Sequence, residues 1–184
     1  MSHNTKAILL SRRPFSEDDC LVTLFTQRYG KIQAKAISAL KPTSKLRGHL
    51  EPGRLIDVML THVDRTGRLA QVVTIENYMS HEPVRSTATF ALLDLIALMS
   101  QHVPDTSMWE AAITSLRQLS ESDHADQLLS SLGVGLMRLL DAGGVGVESP
   151  TNIGKINAHI QWHFDKKLTS LSKIGALELD RSIY

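Results

Sequence analysis

Cys20-Leu-Val-Thr-Leu-Phe-Thr26 and Lys31-Ile-Gln-Ala-Lys-Ala-Ile-Ser38, with Tyr29-Gly30 between them, decide the fold of this chain. The first run is rich in β-branched and aromatic residues, and Tyr29-Gly30 is typical of a turn. In the second run Ile32, Ala34 and Ala36 alternate with polar side chains, which is the two-residue period of a strand with one solvated face. The pattern predicts a pair of neighbouring strands.

Three further strands are predicted around this pair. They cover Lys6–Arg13, Leu55–Val63 and Arg68–Ile75, and a tight turn at Thr66-Gly67 joins the last two into a hairpin. A small sheet of five strands avoids open edges most simply by closing into a barrel. The sequence therefore predicts an α+β protein in two parts, a five-stranded β-barrel over residues 1–79 and an all-α helical domain over residues 80–184.

The second part shows helical spacing of its apolar residues and clear start and stop signals. Four helices are predicted: Thr87–Val103, ended by Pro104; Ser107–Glu121, capped by Asp105 or Thr106; Asp123–Asp141, capped by Asp123 and ended by Gly143-Gly144; and a last helix that begins at Pro150 and carries Ile153, Ile156, Ile160 and Phe164. The tail from Lys173 to Tyr184 shows no clear pattern.

Composition narrows the class of protein. The single cysteine, Cys20, excludes an intramolecular disulfide and a cysteine-based zinc site. The N-terminus has no signal-peptide pattern, and no apolar run reaches the roughly 18 residues that a membrane span needs. We expect a cytoplasmic protein with no membrane partner.

Charge is unevenly divided along the chain. Residues 1–79 carry 12 basic and 7 acidic residues, a net charge of +5, whereas residues 80–184 carry 8 and 12, a net charge of −4. A basic first part suggests contact with a polyanion. The alternative is a chance division of surface charge.

The cations of the first part fall in and beside the predicted strands, where a nucleic-acid backbone needs them. Aromatic rings on which bases stack are the second requirement for single strands. The candidate DNA-binding residues are Arg12, Arg13, Arg28, Lys31, Lys35, Lys41, Lys45, Arg47 and Arg54, with Phe15 and Tyr29 as the aromatic candidates. The alternative for the lysines is a solvated face that guards an edge strand, and for Phe15 it is barrel packing.

Several segments in order resemble one known family. They are Ala7-Ile-Leu-Leu-Ser-Arg-Arg-Pro-Phe-Ser-Glu17, Val22-Thr-Leu-Phe-Thr26, Tyr29-Gly-Lys31, Ala34-Lys-Ala36, Ser44-Lys-Leu46 and Leu50-Glu-Pro52. Together they are similar to the N-terminal domain of RecO, a DNA-repair and recombination mediator, and the second part resembles the family more loosely. The resemblance implies that the barrel is an OB-fold. Many members carry a four-cysteine zinc module in the helical part, for which this sequence has neither the cysteines nor the length, so it resembles a short form that lacks the module.

The resemblance also implies a function and partners. Such proteins bind single- and double-stranded DNA, anneal complementary strands, contact the C-terminal tail of single-strand-binding protein and the partner RecR, and assist recombinase loading at the bacterial nucleoid. Lys166, Lys167 and Lys173 are the candidates for the tail contact, because an acidic apolar tail needs cations at its groove. The alternative for these lysines is a favourable position near a helix C-terminus.

Other functions remain as alternatives. An adaptor would use the barrel and its basic loop to bind an acidic protein without contacting DNA. His159 and His163 are spaced to share a metal on one helix face, yet two solvated histidines are the commoner case. Glu17-Asp18-Asp19 is interpreted as a polar turn. The sequence offers no nucleophile–base pair, so we expect no catalytic residue, no metal and no cofactor.

Overall fold

The computed structural model describes residues 2–61, 66–146 and 152–174. The chain divides into two compact units. Unit 1 comprises residues 1–78 and 100–109, and unit 2 comprises residues 79–99 and 110–184. The predicted division into a barrel domain over residues 1–79 and a helical domain over residues 80–184 stays a prediction.

Unit 1 is a barrel of five strands. The strands are β1 Ser2–Pro14, β2 Cys20–Thr26, β3 Gly30–Ala36, β4 Arg54–Thr61 and β5 Thr66–Asn77, and a short 3₁₀ turn covers Arg47–His49. They close in the order β1-β2-β3-β5-β4, with every pair antiparallel except β3 and β5. The predicted fold class, an OB-type barrel followed by helices, is confirmed.

The β4–β5 hairpin is confirmed, but the predicted turn at Thr66-Gly67 is wrong. Both residues belong to β5, where Thr66 pairs with Gln33 and Gly67 with Ala34 in the parallel ladder that closes the barrel. The predicted end of β4 at Val63 lies outside the described residues. Strand β3 ends at Ala36 rather than Ser38, because Ser38 has a positive φ of 51° and its N–H donates to Asp19 Oδ1 at 2.7 Å.

The barrel is filled by the inward-facing residues of all five strands, among them Leu9, Val22, Ala34 and Val58. Its outer face is also buried along one side. Ile8 lies between Phe25 and Leu55 in the strand registers, and all three are almost fully buried. The Trp109 ring packs 5.7 Å from the Phe25 ring, centroid to centroid.

Residues 100–109 belong to unit 1, where they pack against the start of β3 and, through Trp109, against Phe25 of β2. Lys31 N–H donates to Gln101 O at 2.6 Å, and the His102 ring bonds to Lys31 O. Gly30, at φ 65°, lies so close to the backbone of Gln101 and Val103 that a Cβ there would collide with both. We call residues 100–104 the strap.

Within its described residues, unit 2 contains four helices of eight residues or more: α1 Pro83–Met99, α2 Thr106–Ser120, whose first turn lies in unit 1, α3 Ala125–Ala142 and α4 Ile153–Phe164. Residues 169–174 form a further helical turn. Helix α1 begins and ends four residues earlier than predicted. Proline is favoured in the first turn of a helix, and the backbone beyond Met99 is committed to the strap.

The helix caps differ in part from the prediction. Asp105 caps α2, accepting from Met108 N–H at 2.9 Å. The predicted cap Asp123 is wrong, because the N-cap of α3 is His124 and Asp123 N–H instead donates to Gln127 Oε1. Asn152 caps α4 through Lys155 N–H at 2.8 Å, whereas Pro150 lies outside the described residues.

Helices α1, α2 and α3 approach closely at Gly135. A Cβ at this position would lie 3.1 Å from Ser115 Cβ and 3.2 Å from a Leu92 methyl group. The small residue lets buried side chains of three helices meet, since protein interiors pack without large voids. The described helices include none that is long and apolar enough to cross a bilayer.

Candidate nucleic-acid interface

The outer face of β3 and the start of β5 carries a row of polar side chains. Strand β3 alternates between core residues and Lys31, Gln33 and Lys35. Because β5 runs parallel to β3, Arg68 lies beside Lys35 in the register and Thr66 lies beside Gln33. We call Lys31, Gln33, Lys35, Thr66 and Arg68 the β3–β5 face.

Arg68 was missing from the residues predicted from sequence. The sequence does indicate that Arg68 faces outward, because Arg68 and Ala70 alternate with Gly67 and Leu69, which are buried. The incorrect turn at Thr66-Gly67 prevented this alternation from being followed to the start of β5. Only the parallel pairing of β5 with β3, which joins distant parts of the chain, brings Arg68 beside Lys35.

An exposed aromatic ring extends this face. The Phe15 side chain is 51% exposed, and Lys35 Nζ lies 4.3 Å from its ring centroid. The β1–β2 loop that carries Phe15 is fixed against the segment after β3, since Leu40 N–H donates to Asp18 O at 2.8 Å. Phe15 is therefore an accessible ring beside a cation rather than barrel packing.

Asp19 holds the same two segments together. Its carboxylate accepts from Ser38 N–H, and this hydrogen bond lowers the pKa of Asp19. Desolvation opposes it, whereas a hydrogen bond from the Ser16 side chain and the charges of Lys41 and Lys35 act in the same direction as the Ser38 bond. A carboxylate that accepts backbone hydrogen bonds favours its charged form. The polar turn predicted at Glu17-Asp18-Asp19 thus holds the β1–β2 loop against the segment that follows β3.

Two predicted DNA-binding cations form ion pairs. Arg12 Nη1 lies 3.0 Å from Glu51 Oε1, and Lys41 Nζ lies 3.1 Å from Asp18 Oδ2. No acidic residue interrupts Lys41–Arg47 in sequence, yet Asp18 reaches Lys41 from the β1–β2 loop. Both pairs are partly exposed, so a phosphate can compete with the carboxylates, at the cost of the existing contact.

Four other predicted cations are open to solvent. Arg13 lies at the end of β1, Arg28 in the β2–β3 turn, and Lys45 and Arg47 before β4. Their side chains form no ion pair with any other described residue. The 3₁₀ turn that contains Arg47 is anchored to β5, where His49 Nδ1 bonds to Thr74 Oγ1 at 2.8 Å.

Two predicted residues are turned toward the protein. Arg54 is half-buried, its Nη1 donates to Gly48 O, and its Nε is buried without a partner among the described residues. The Tyr29 ring packs on the barrel core, and its hydroxyl lies 3.1 Å from His3 Nδ1. Arg54 fixes a loop and Tyr29 packs on the core, and both side chains are partly buried.

In unit 2, the predicted tail-binding residues Lys166, Lys167 and Lys173 are all exposed, and they follow or flank the end of α4. None of them lines the groove that lies between α3 and α4. That groove has a volume of about 680 Å³ and is lined by Leu129, Ser130, Gly133, Val134, Met137, Arg138, Asp141, Asn152, Ile153 and Ile156.

The histidine pair lies close together, with the His159 and His163 ring centroids 4.4 Å apart. His159 Nε2 is engaged by Val145 O at 2.9 Å. The described part of the chain contains no group of three or more His, Cys, Asp or Glu side chains that could hold a metal ion. Cys20 is fully buried, and burial raises the pKa of its thiol, which keeps it protonated and unreactive.

The closed strand order β1-β2-β3-β5-β4 defines an OB-fold protein, and the β3–β5 face of cations beside an accessible ring is its candidate binding surface. Residues 1–78 match the family model described as recombination protein O N terminal. Residues 1–78 therefore carry the N-terminal domain of the RecO family, which confirms the resemblance identified in the sequence.

Curated relatives extend the match beyond the barrel. The chain is 33% identical to a protein of Acaryochloris marina over 79% of this chain and 51% of the relative. It is 30% identical to one of Synechocystis, over 78% and 54%, and 25% identical to one of Frankia casuarinae, over 79% and 61%. Each is named DNA repair protein RecO. The chain thus spans about half the length of the first two relatives and somewhat more of the third.

Proposed function

We propose that this chain is a recombination mediator in DNA repair that binds DNA, anneals single strands and has no catalytic activity of its own. The observation that carries the proposal is the β3–β5 face, where Lys35 lies over the exposed Phe15 ring and beside Arg68. Cations bind phosphates whatever the base sequence, and an open aromatic ring stacks on any base. The names of the relatives, DNA repair protein RecO, support the same role.

The experiment that tests this proposal compares the salt dependence of DNA binding between the wild type and variants of the β3–β5 face. Lys35→Gln with Arg68→Gln removes two cations without adding negative charge. Loss of two phosphate contacts should lower the slope of log affinity against log salt by about 1.4 for single strands. Lys6→Gln is the control, because Lys6 is exposed on β1 opposite Asp57, away from β3.

Binding of a labelled oligothymidylate by fluorescence anisotropy reports both affinity and slope. Equal slopes in the double variant and the wild type would remove the β3–β5 face from the proposal. If the wild type binds no DNA even at low salt, the adaptor alternative, in which the barrel and Lys41–Arg47 bind an acidic protein, takes its place. Phe15→Ala should weaken binding about 5- to 150-fold, since stacking contributes about 1–3 kcal/mol per base.

We further propose that unit 2 binds the acidic, apolar C-terminal tail of single-strand-binding protein. The α3–α4 groove supports this, because Val134, Met137 and Ile156 offer apolar lining and Arg138 offers a cation for a carboxylate. This location differs from the predicted contact at Lys166, Lys167 and Lys173. A tail peptide should bind the wild type, lose affinity with Arg138→Glu and keep it with Lys167→Glu; the reverse result would support the lysines.

On the basis of the family resemblance, we also propose that this chain contacts RecR and assists recombinase loading. A pull-down of purified RecR by this chain tests the first. The rate at which recombinase replaces single-strand-binding protein on DNA, with and without the chain, tests the second. No acceleration at saturating chain would remove the loading role while leaving DNA binding and annealing in place.

A further inference from the structure

An exposed tryptophan marks the outer face of α4. Trp162 is 79% exposed, the highest value among the exposed large apolar side chains of the described residues. Its ring meets the His163 ring in a T-shaped contact with centroids 4.6 Å apart. His163 in turn contacts His159, which is fixed by Val145 O. The indole therefore contacts the protein on one side, while most of its surface remains exposed to solvent.

The surroundings of Trp162 are basic, although unit 2 as a whole is acidic. Residues 152–174 carry four lysines and one aspartate, a net charge of +3, whereas unit 2 carries 8 basic and 11 acidic residues, a net charge of −3. The lysines are Lys155, Lys166, Lys167 and Lys173, and all are exposed. None forms an ion pair with a described residue.

Helical geometry brings a cation and the ring together. Lys155, Ala158 and Trp162 follow the spacing that places residues on one face of a helix. Two turns, about 10 Å, separate Lys155 from Trp162. Ala158 between them is small and exposed, so it leaves space beside the indole. Lys166 and Lys167 follow the end of the helix at Phe164.

We propose that this face of α4 is a second nucleic-acid contact, at which Trp162 stacks on a base of a single strand and Lys155, Lys166 and Lys167 bind the flanking phosphates. Exposed cations with no acidic partner suit a polyanion. An open indole suits an unpaired base, because a duplex keeps its base faces stacked inside. An acidic apolar peptide would need an apolar groove, and the groove between α3 and α4 is lined by residues other than Trp162 and these lysines.

Tryptophan emission tests the proposal directly. The chain has two tryptophans, and Trp109 is buried whereas Trp162 is open. In Trp109→Phe, titration with oligothymidylate at low salt should quench the emission of Trp162 in a saturable manner. If Trp109→Phe fails to fold, the difference between the wild type and Trp162→Phe gives the same signal.

Affinity measurements provide the second arm. Trp162→Ala, a change at an exposed site, should weaken binding of oligothymidylate about 5- to 150-fold, and Trp162→Phe should restore most of it. Lys155→Gln should weaken binding and lower the salt slope by about 0.7. Unquenched emission together with wild-type affinity in Trp162→Ala would overturn the inference, and so would quenching by an acidic apolar peptide but not by oligothymidylate.

The proposed DNA contact on the barrel and the proposed DNA contact on α4 can be disproved independently of each other. If Lys35→Gln with Arg68→Gln loses binding while Trp162→Ala retains it, the barrel contact stands and the α4 contact is overturned. If the barrel variant still shows quenching of Trp162 by DNA, the α4 contact is supported whatever the fate of the barrel surface.

Discussion

Arg54 and Arg47 are basic residues of the same part of the barrel, but their side chains have different surroundings. Arg54 is half-buried and donates to Gly48 O, whereas the Arg47 side chain is exposed. Arg54→Ala should lower the free energy of unfolding by about 1–3 kcal/mol, because a charge-assisted hydrogen bond and the packing of the stem are lost. Arg47→Ala should change it by less than about 0.5 kcal/mol.

Urea unfolding of both variants measures the difference. A weaker DNA affinity in Arg54→Ala should then accompany lost stability, while Arg47→Ala should lose affinity at unchanged stability. Equal stabilities for the two variants would show that the Arg54 contact contributes nothing to the fold.

Asp19 stabilises the barrel through a carboxylate hydrogen bond that depends on pH. Its pKa is lowered from the ordinary value of 3.8, chiefly by the hydrogen bond from Ser38 N–H. A folded-state pKa below the unfolded value means stability that is present above the unfolded pKa and is lost as pH falls through the folded one. Asp19→Asn should therefore unfold with a weaker pH dependence below about pH 4 than the wild type.

Chemical unfolding at several pH values between about 6 and 3 provides the measurement. Glu17→Gln is the control, because Glu17 is an exposed acid of the same loop. If Asp19→Asn and the wild type lose stability in parallel as pH falls, the Ser38 hydrogen bond does not contribute in this range.

Sequence patterns predict the direction of single side chains but not their partners. The alternation in β3 correctly placed Lys31 and Lys35 on the outer face, because a strand has a fixed two-residue period. The pairs Arg12–Glu51 and Lys41–Asp18 join segments that lie far apart in sequence. Such contacts depend on how distant segments come together in the fold, which no local pattern encodes.

At the scale of elements, β3 depends on a segment far away in sequence. The strap bonds to Lys31, and its backbone contacts Gly30, where φ is 65°. Gly30→Ala should destabilise the protein by more than about 2 kcal/mol, through the cost of a left-handed conformation for alanine and a collision with the strap. Gly48→Ala is the control, because a Cβ there meets nothing within 4 Å.

Thermal unfolding compares the two glycine variants, and hydrogen exchange at the Lys31 amide tests the cause. Exchange at Lys31 should accelerate in Gly30→Ala, since its acceptor Gln101 O is displaced. A melting temperature equal to that of Gly48→Ala would show that the strap moves aside without cost.

Elements with a strong local signal were predicted well. Strand β2 matches its predicted bounds, because a run of β-branched and aromatic residues ends at a turn signal. The strap was instead assigned to the end of α1, since residues 100–103 carry no helix-ending residue before Pro104. Its pairing with β3 overrides the local preference, and only tertiary contacts reveal it.

At the scale of the whole molecule, unit 1 is discontinuous in sequence. Its chain leaves the barrel after Tyr78 and contributes again at Ser100–Trp109. The returning segment supplies the Trp109 ring against Phe25 and the hydrogen bond from Lys31 N–H to Gln101 O. A cut at residue 79 therefore removes part of the barrel unit, although the strand pattern suggests a natural boundary there.

A fragment of residues 1–79 should accordingly be less stable than the barrel of the intact chain. Phe25, which is fully buried in the whole protein and packs against the Trp109 ring, would lose that cover, and exposure of such a side chain costs about 1.5–3 kcal/mol. The fragment should unfold at lower urea concentration and bind an apolar dye that the intact chain does not. Phe25→Thr within the fragment should reduce dye binding, because it removes the exposed ring while keeping a β-favouring residue. If the fragment matches the intact chain in the free energy of unfolding and binds no dye, residues 100–109 do not stabilise the barrel.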